Sequence, residues 1–291
     1  MNGTALRTAL LFGVLFGIFA LIGYAVGGGN SITLVVFLLL AGVMNVFTYF
    51  YSDKIVLRSY RAKVINEAEN RRLYGIVAKV ASDSNIPMPK VAIAPMDTPN
   101  AFATGRNKKN AVVCVTRGIL GYLNDEELEG VIAHEMAHIK DRDILVMTIA
   151  ATIAGAIAIF ARMTYWSMLF GGRGRRDSSG LIIALIAAIT APIAAAMIQM
   201  AISRTREYKA DREGAMATGK PWALAGALKK LEYGNRKGMK KGNPASSSLF
   251  IVNPFRGGSF VRLFSTHPPM SQRIEKLNQL SEAMGGPTIY L

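Results

Sequence analysis

The chain begins with a long apolar region in which no charged residue occurs from Thr8 to Ser52. Glycines before Asn30 divide this region into apolar blocks at about Thr8–Val26 and Ile32–Tyr51. Each block has about the 20 residues that an α-helix needs to cross the hydrocarbon core of a bilayer. A cleaved signal peptide is the alternative for the first block, but its apolar core exceeds the usual ~7–15 residues, and a second block follows almost at once. The pattern therefore predicts a retained hairpin of two transmembrane helices.

Two further apolar blocks, Ile144–Ala161 and Leu181–Ile202, flank an arginine-rich loop at Arg162–Gly180. If both blocks span, the chain has four transmembrane helices. Basic residues follow the second block from Lys54 onward, whereas the turn between the first two blocks is uncharged. The positive-inside rule therefore places the N-terminus and the region after Lys54 in the cytoplasm. The arginine-rich loop then lies outside, against the same rule, so either this hairpin dips into the bilayer without crossing it or the first spans dominate the orientation.

The polar regions have the periodicity of short helices and strands. Apolar positions within 67–85 recur at helical spacing, and two β-like runs follow at Val91–Ala94 and Ala111–Thr116. The polar stretch Gly105–Asn110 predicts a hairpin turn before the last strand. A helix is predicted after Asn124, which begins a capping-box sequence. Later helices are predicted to end near Gly219 and to cover Pro221–Tyr233 and Ser271–Met284.

Composition supports a membrane protein in a reducing compartment. Hydrophobic residues make up 51% of the 291 residues and charged residues 18%, which is too apolar for an ordinary soluble enzyme. The net charge of +15 fits basic cytoplasmic loops that contact anionic lipid. Nucleic acid is not an expected partner, because the sequence contains no recognisable nucleic-acid-binding module. The single cysteine, Cys114, excludes an intramolecular disulfide framework, and its place in a predicted strand favours a core residue over a nucleophile.

The candidate chemistry centres on an H-E-x-x-H sequence, which runs from His134 to His138 in the helix after Asn124. One helical turn separates the two histidines, so both imidazoles can reach one Zn²⁺. Glu135 lies about 100° round the helix from His134, where it can contact a water at the metal, take its proton and later protonate the leaving amine. The alternative is a coincidental run of surface residues. The chain has only three histidines, and two of them occur here at ligand spacing, which argues against coincidence.

A catalytic zinc site normally has a third protein ligand and one open position. Cys114 and His267 are the remaining Cys and His residues, so a carboxylate must also be considered. Glu207 and Asp211 lie one helical turn apart: Glu207 would ligate zinc, and Asp211 would accept the free N–H of a zinc histidine. Such a pair is common on solvated helices. Its position supports it, because His138 shortly precedes the third apolar block and Glu207 shortly follows the fourth, so an antiparallel hairpin would bring them together.

Four motifs in this order resemble the HtpX-type heat-shock membrane metalloproteases and, more distantly, the CAAX prenyl proteases of the same zinc peptidase clan. They are Asn100–Gly105, His134–His138, Glu207–Asp211 and Thr266–Pro268. The resemblance implies a predominantly α membrane protein with a small β-sheet, in which an HExxH zinc peptidase domain is built onto transmembrane helices. It implies one Zn²⁺ per chain, with Glu207 as third ligand and Asp211 behind a ligand histidine. It also implies that an edge strand for substrate is formed by Asn100, Ala101, Phe102, Ala103 and Thr104.

An edge strand has a physical rationale, because a peptide laid along it gains main-chain hydrogen bonds regardless of its sequence. An ordinary buried strand is the alternative for Asn100–Thr104. The related prenyl proteases suggest that His267 stabilises the charge on the peptide oxygen during hydrolysis. The sequence itself shows a histidine before two prolines, which also fits a structural histidine in a tight turn.

The sequence thus predicts an integral protein of the cell inner membrane with its catalytic site on the cytoplasmic side. Its function would be that of a zinc metalloendopeptidase. The resemblance to the HtpX-type proteases implies a quality-control role, in which misfolded or damaged membrane proteins are hydrolysed under stress. A CAAX-type processing protease and a non-enzymatic zinc-stabilised scaffold are the alternatives; an intramembrane site is excluded by the charges that surround the histidines. The expected parts are a transmembrane hairpin (1–53), a first catalytic part (54–143), a second transmembrane hairpin (144–202) and a second catalytic part (203–291).

Overall fold

The structure is a computed structural model that describes residues 3–26, 28–141, 143–149, 204–236 and 268–290. Most of the third and fourth apolar blocks, the arginine-rich loop and His267 lie outside these residues. The described helices are α1 (Gly3–Val26), α2 (Ser31–Ser59), α3 (Arg71–Asp83), α4 (Arg117–Tyr122), α5 (Asp125–Lys140), α6 (Arg204–Thr218), α7 (Pro221–Arg236) and α8 (Met270–Ala283). The described strands are β1 (Lys63–Ile65), β2 (Lys90–Ala94), β3 (Ala101–Gly105) and β4 (Ala111–Thr116).

The first two helices form the predicted hairpin and pack against each other. Gly28 and Gly29 reverse the chain between them with positive φ angles, a conformation that glycine adopts without steric cost. The Asn30 side chain then caps α2 by accepting hydrogen bonds from its first turn. Among the described residues, α2 is the one helix long and apolar enough to cross a membrane, because the apolar stretch of α1 is shorter, Thr8–Ala20.

α2 continues past its apolar block and reaches the sheet. Its 29 residues give a length of about 43 Å, more than the ~30 Å thickness of a bilayer core. Near its end, Val56 and Tyr60 pack with Phe102 and Cys114 on one face of the sheet, and the rings of Tyr60 and Phe102 lie 4.7 Å apart. Cys114 is a core residue, as expected, and burial raises the pKa of its thiol to about 12. The sheet therefore lies just beyond the apolar part of α2.

The four strands form a mixed sheet in the order β1-β2-β4-β3. β1 and β2 are antiparallel, β2 and β4 are parallel, and β4 and β3 form an antiparallel hairpin in which Ala103 pairs with Val113. The turn of this hairpin occupies the predicted stretch. β3 is thus an edge strand of the sheet in the described part of the chain, one residue later than the expected Asn100–Thr104.

The second face of the sheet packs on the helices that carry the site. Side chains from β2, β3 and β4 alternate, so that Ala103 and Val113 enter the same core as Leu73 of α3 and Ile132 of α5. The predicted capping box at the start of α5 is confirmed: Asn124 accepts from Glu127 N–H, and the Glu127 carboxylate accepts from Asn124 N–H. α5 contacts α3, α6, α7 and β3, which makes it the central helix of the catalytic part.

β1 and α4 are not predicted by the hydrophobic pattern. β1 has three residues and is defined by its pairing with β2, which a single segment cannot show. α4 has six residues and begins at Thr116, whose side chain accepts a hydrogen bond from Ile119 N–H. The short length of both elements removes the periodicity on which a prediction depends.

Candidate active site

The two histidines of α5 and a glutamate of α6 converge in a buried cluster. His134 Nε2 lies 3.6 Å from one oxygen of Glu207, and His138 Nε2 lies 3.4 Å from the other. All three side chains are at least 96% buried. A tetrahedral zinc with bonds of about 2.0–2.1 Å would hold its ligand atoms about 3.3–3.4 Å apart. The two distances involve different oxygens of Glu207, and one ligand atom from each residue lies within 4.8 Å of the others, so the cluster could hold a metal. The donor set of two imidazoles and one carboxylate is one that zinc accepts.

Glu207 reaches the histidines because α6 approaches α5 closely. Glu207, Asp211 and Gly214 are spaced by four and three residues, so they share one face of α6. A Cβ at Gly214 would lie 2.7 Å from the backbone nitrogen of His134. The absence of a side chain at Gly214 thus lets the two backbones touch, which places Glu207 and Asp211 within reach of the ligand face of α5.

Asp211 lies behind His134 and is itself held by an arginine. Its Oδ1 is 2.9 Å from His134 Nδ1, and Arg273 of α8 donates two hydrogen bonds, of 2.6 and 2.8 Å, to its two oxygens. Burial alone would raise the pKa of Asp211, but the charge and hydrogen bonds of Arg273 and His134 outweigh it and lower the pKa to about 2. Asp211 is therefore a carboxylate that can accept the N–H of His134.

Arg273 is a site residue that the sequence pattern does not single out. Its side chain is 0% exposed, although arginine is almost never fully buried without a partner. The available signal is its position, because Arg273 lies on the apolar face of α8 next to Ile274 and one turn before Leu277. A charged residue at a core-facing position indicates a buried partner of opposite charge.

Glu135 links the H-E-x-x-H helix to the edge strand. Its carboxylate accepts a 2.9 Å hydrogen bond from the N–H of Ala103, which points away from β4. Burial raises the pKa of Glu135, although the nearby His134 and His138 oppose this effect. The structure thus places the proposed base between the histidine cluster and the outer edge of β3.

The structure brings together five of the residues selected from the sequence: His134, Glu135, His138, Glu207 and Asp211. The expected substrate strand lies beside them, and its side chains at 101–104 are buried, so what it offers at the sheet edge is its backbone. His267 lies outside the described residues.

A buried H-E-x-x-H helix joined by a glutamate from a neighbouring helix defines the site of a peptidase. Comparison with known proteins gives the family: the model of Peptidase family M48 matches residues 67–281. The chain belongs to peptidase family M48, and it is a protease.

Relatives match along nearly the whole chain. The Protease HtpX homolog of Thermococcus sibiricus is 54% identical over 97% of this chain and 98% of its own length. The Protease HtpX homolog of Thermococcus kodakarensis is 52% identical over 96% of this chain and 97% of its own length. Among solved structures, the crystal structure of S. mikatae Ste24p superposes with a TM-score of 0.51 at 18% identity, over 94% of this chain and 65% of that one. This last likeness concerns the fold alone, which is mostly helical with a small mixed sheet.

Proposed function

We propose that the chain is a membrane-bound zinc metalloendopeptidase whose site lies at the cytoplasmic membrane surface. The observation that carries the proposal is the buried cluster of His134, His138 and Glu207, whose candidate ligand atoms lie within 4.8 Å of one another, with Glu135 beside it. A structural zinc site usually has four protein ligands and needs no neighbouring base. Three candidate ligands and an adjacent carboxylate instead suit a catalytic site with one open position.

Each polar residue has a proposed role in hydrolysis. His134, His138 and Glu207 would hold zinc, which supplies a Lewis acid and lowers the pKa of water. Glu135 would take a proton from the attacking water and give it to the leaving amine. Asp211, fixed by Arg273, would accept the Nδ1–H of His134 and leave its Nε2 free for the metal.

The substrate is a polypeptide in extended conformation, which we propose to bind along β3. An added strand gains main-chain hydrogen bonds without requiring particular side chains, so the specificity would be broad. Ala103 lies within hydrogen-bond distance of Glu135, so a strand paired with β3 would pass next to the proposed base. Broad specificity and the position beyond α2 suit misfolded or damaged membrane proteins as substrates, in a quality-control role under stress.

The placement in the membrane is also a proposal. α2 would span, and the basic residues near its end, from Lys54 onward, would face the anionic lipid of the cytoplasmic leaflet. Four transmembrane helices would divide the catalytic part into 54–143 and 203–291. The close packing of α5 on α6 is what this arrangement requires, because the two helices lie on either side of the second predicted hairpin in the chain.

The test is hydrolysis of an unfolded protein such as casein by the purified full chain, together with its zinc content. We expect activity that a chelator removes and zinc restores. Glu135→Gln should keep its zinc and lose activity by orders of magnitude, because it keeps the shape of the side chain and removes the base. Glu126→Gln is the matched control, since it makes the same change on the exposed side of the same helix. Chelator-resistant activity, or near wild-type turnover of Glu135→Gln, would contradict the proposal.

A further inference from the structure

A second carboxylate lies behind the second histidine. Asp143 follows the end of α5, and its side chain is buried, although it carries a charge. Its Oδ2 is 3.7 Å from His138 Nδ1, and its Oδ1 accepts a 2.8 Å ion-paired hydrogen bond from Arg206 Nη1. His138 Nε2 faces Glu207 at 3.4 Å, so Nδ1 is the ring nitrogen that turns towards Asp143.

A similar arrangement lies behind His134, where the aspartate is closer to the histidine, at 2.9 Å. There, Asp211 lies next to Nδ1 and is held by Arg273. In both cases an arginine, fully buried for Arg273 and partly exposed for Arg206, supplies the positive charge that an isolated buried carboxylate would lack.

Arg206 also connects this pair to the third candidate ligand. It directly precedes Glu207 in the first turn of α6, so the Arg206–Asp143 ion pair joins the segment after α5 to the turn that carries Glu207.

We propose that Asp143, held in place by Arg206, is a positioning residue for His138. It would accept the Nδ1–H of His138, from which its Oδ2 lies 3.7 Å away in this structure, and so fix the neutral tautomer whose Nε2 can bind the metal. The inference rests on the proposed function, because it assigns the purpose of the pair to a metal site. Each ligand histidine then has its own aspartate, and each aspartate its own arginine.

The competing explanation is that the pair only ties α6 to the end of α5. The chain contains a control for this possibility, because Asp141 and Lys209 join the same two segments through a 2.6 Å ion pair. Their side chains are 25% and 52% exposed, compared with 6% for Asp143 and 13% for Arg206. The control pair contacts neither histidine in the described structure, so it reports the effect of the tie alone.

The test uses the full chain in detergent after its metal has been removed. Zinc affinity is measured by competition with a chromophoric chelator, and the midpoint of thermal unfolding is measured with and without zinc. We expect Asp143→Asn to weaken zinc binding about 10–100-fold. Asp141→Asn should bind zinc as the wild type does. Arg206→Gln should lose affinity in the same direction, and Arg206→Lys, which keeps the charge, should recover part of the loss.

The losses of zinc affinity caused by Asp143→Asn and by Arg206→Gln should not add in the double variant. If Arg206 acts through Asp143, the double variant should bind zinc about as weakly as Asp143→Asn alone. If Asp143→Asn does not fold, the comparison of Arg206→Gln with Arg206→Lys carries the test. The inference would be overturned if Asp143→Asn bound zinc as tightly as the wild type, or if Asp141→Asn lost as much zinc affinity as Asp143→Asn. Chelator-sensitive activity of the wild type would leave the proposed function intact in either case. A wild-type protein that binds no zinc would overturn both.

Discussion

Gly214→Ala tests whether the close approach of α6 to α5 assembles the site. The new Cβ would lie 2.7 Å from the backbone nitrogen of His134 and 2.8 Å from the carbonyl carbon of Ala133, whereas ordinary contacts begin at 3.4 Å. α5 cannot move away easily, because every residue from Glu127 to Ile139 is buried, so the helix is enclosed on all sides by its neighbours, which include α3, α7 and β3. α6 must therefore shift by several tenths of an ångström.

Two opposing effects set the change in stability. Alanine favours a helix interior over glycine by about 1 kcal/mol, whereas overpacking of a core costs roughly 1–3 kcal/mol. The net free energy of unfolding should therefore fall by at most about 2 kcal/mol. Zinc affinity and activity should be affected more strongly than stability, because Glu207 lies on the shifted helix and metal–ligand distances tolerate a change of only about 0.2 Å. A misplacement of about 1 Å can cost roughly 10²-fold in rate, so a shift of several tenths of an ångström should lower kcat/KM by up to about that factor.

The measurements are zinc affinity, kcat/KM on casein and the midpoint of thermal unfolding of the metal-free protein. Gly75→Ala in α3 is the matched control, because a Cβ there meets nothing within 4 Å. It should gain stability by up to about 1 kcal/mol and keep its activity. Wild-type zinc affinity and turnover in Gly214→Ala would refute the reasoning, since the helices would then tolerate a different spacing without loss of the site.

The remaining predictions concern the ligands, the buried arginine, the untested histidine and the topology. Glu207→Ala should lose both zinc and activity, whereas Asp211→Ala should weaken zinc binding about 10–100-fold; stoichiometric zinc in Glu207→Ala in an equilibrium metal assay would indicate another third ligand. Arg273→Met leaves the buried Asp211 carboxylate without its cation and should lower the free energy of unfolding by roughly 3–5 kcal/mol, and an unchanged unfolding midpoint would contradict this. His267→Ala should keep zinc and thermal stability but lose roughly 10²–10³ in kcat with little change in KM, if His267 supports the oxyanion; a variant that keeps its rate, or loses it only by unfolding, would favour a structural histidine. If the second hairpin spans, a cysteine placed at Ser178 in the arginine-rich loop should react with an impermeant thiol reagent from the non-cytoplasmic side. Labelling only from the cytoplasmic side would indicate a re-entrant hairpin. The native cysteine, Cys114, is buried and should give little background labelling.

Features that depend on neighbours in the chain could be predicted from the sequence. The H-E-x-x-H spacing, the capping box before α5 and the apolar face of α3 all follow from the 3.6-residue period of a helix. The turn between α1 and α2 could be predicted because consecutive glycines adopt positive φ angles without steric cost. The predicted pairing of Glu207 with the two histidines came from the expected hairpin and from family resemblance, because no local pattern joins residues so far apart.

What the sequence by itself determined is the content of the site, and what tertiary structure decided is its geometry. Residue types and helical period establish that two histidines share a face of α5 and that Glu135 lies beside them. The packing of α6 on α5 through Gly214, the burial of Arg273 against Asp211 and the edge position of β3 arise from contacts between distant segments. Those contacts depend on how whole faces of helices and of the sheet fit together. If the same elements packed differently, the carboxylates, the arginine and the two histidines would not meet in one site.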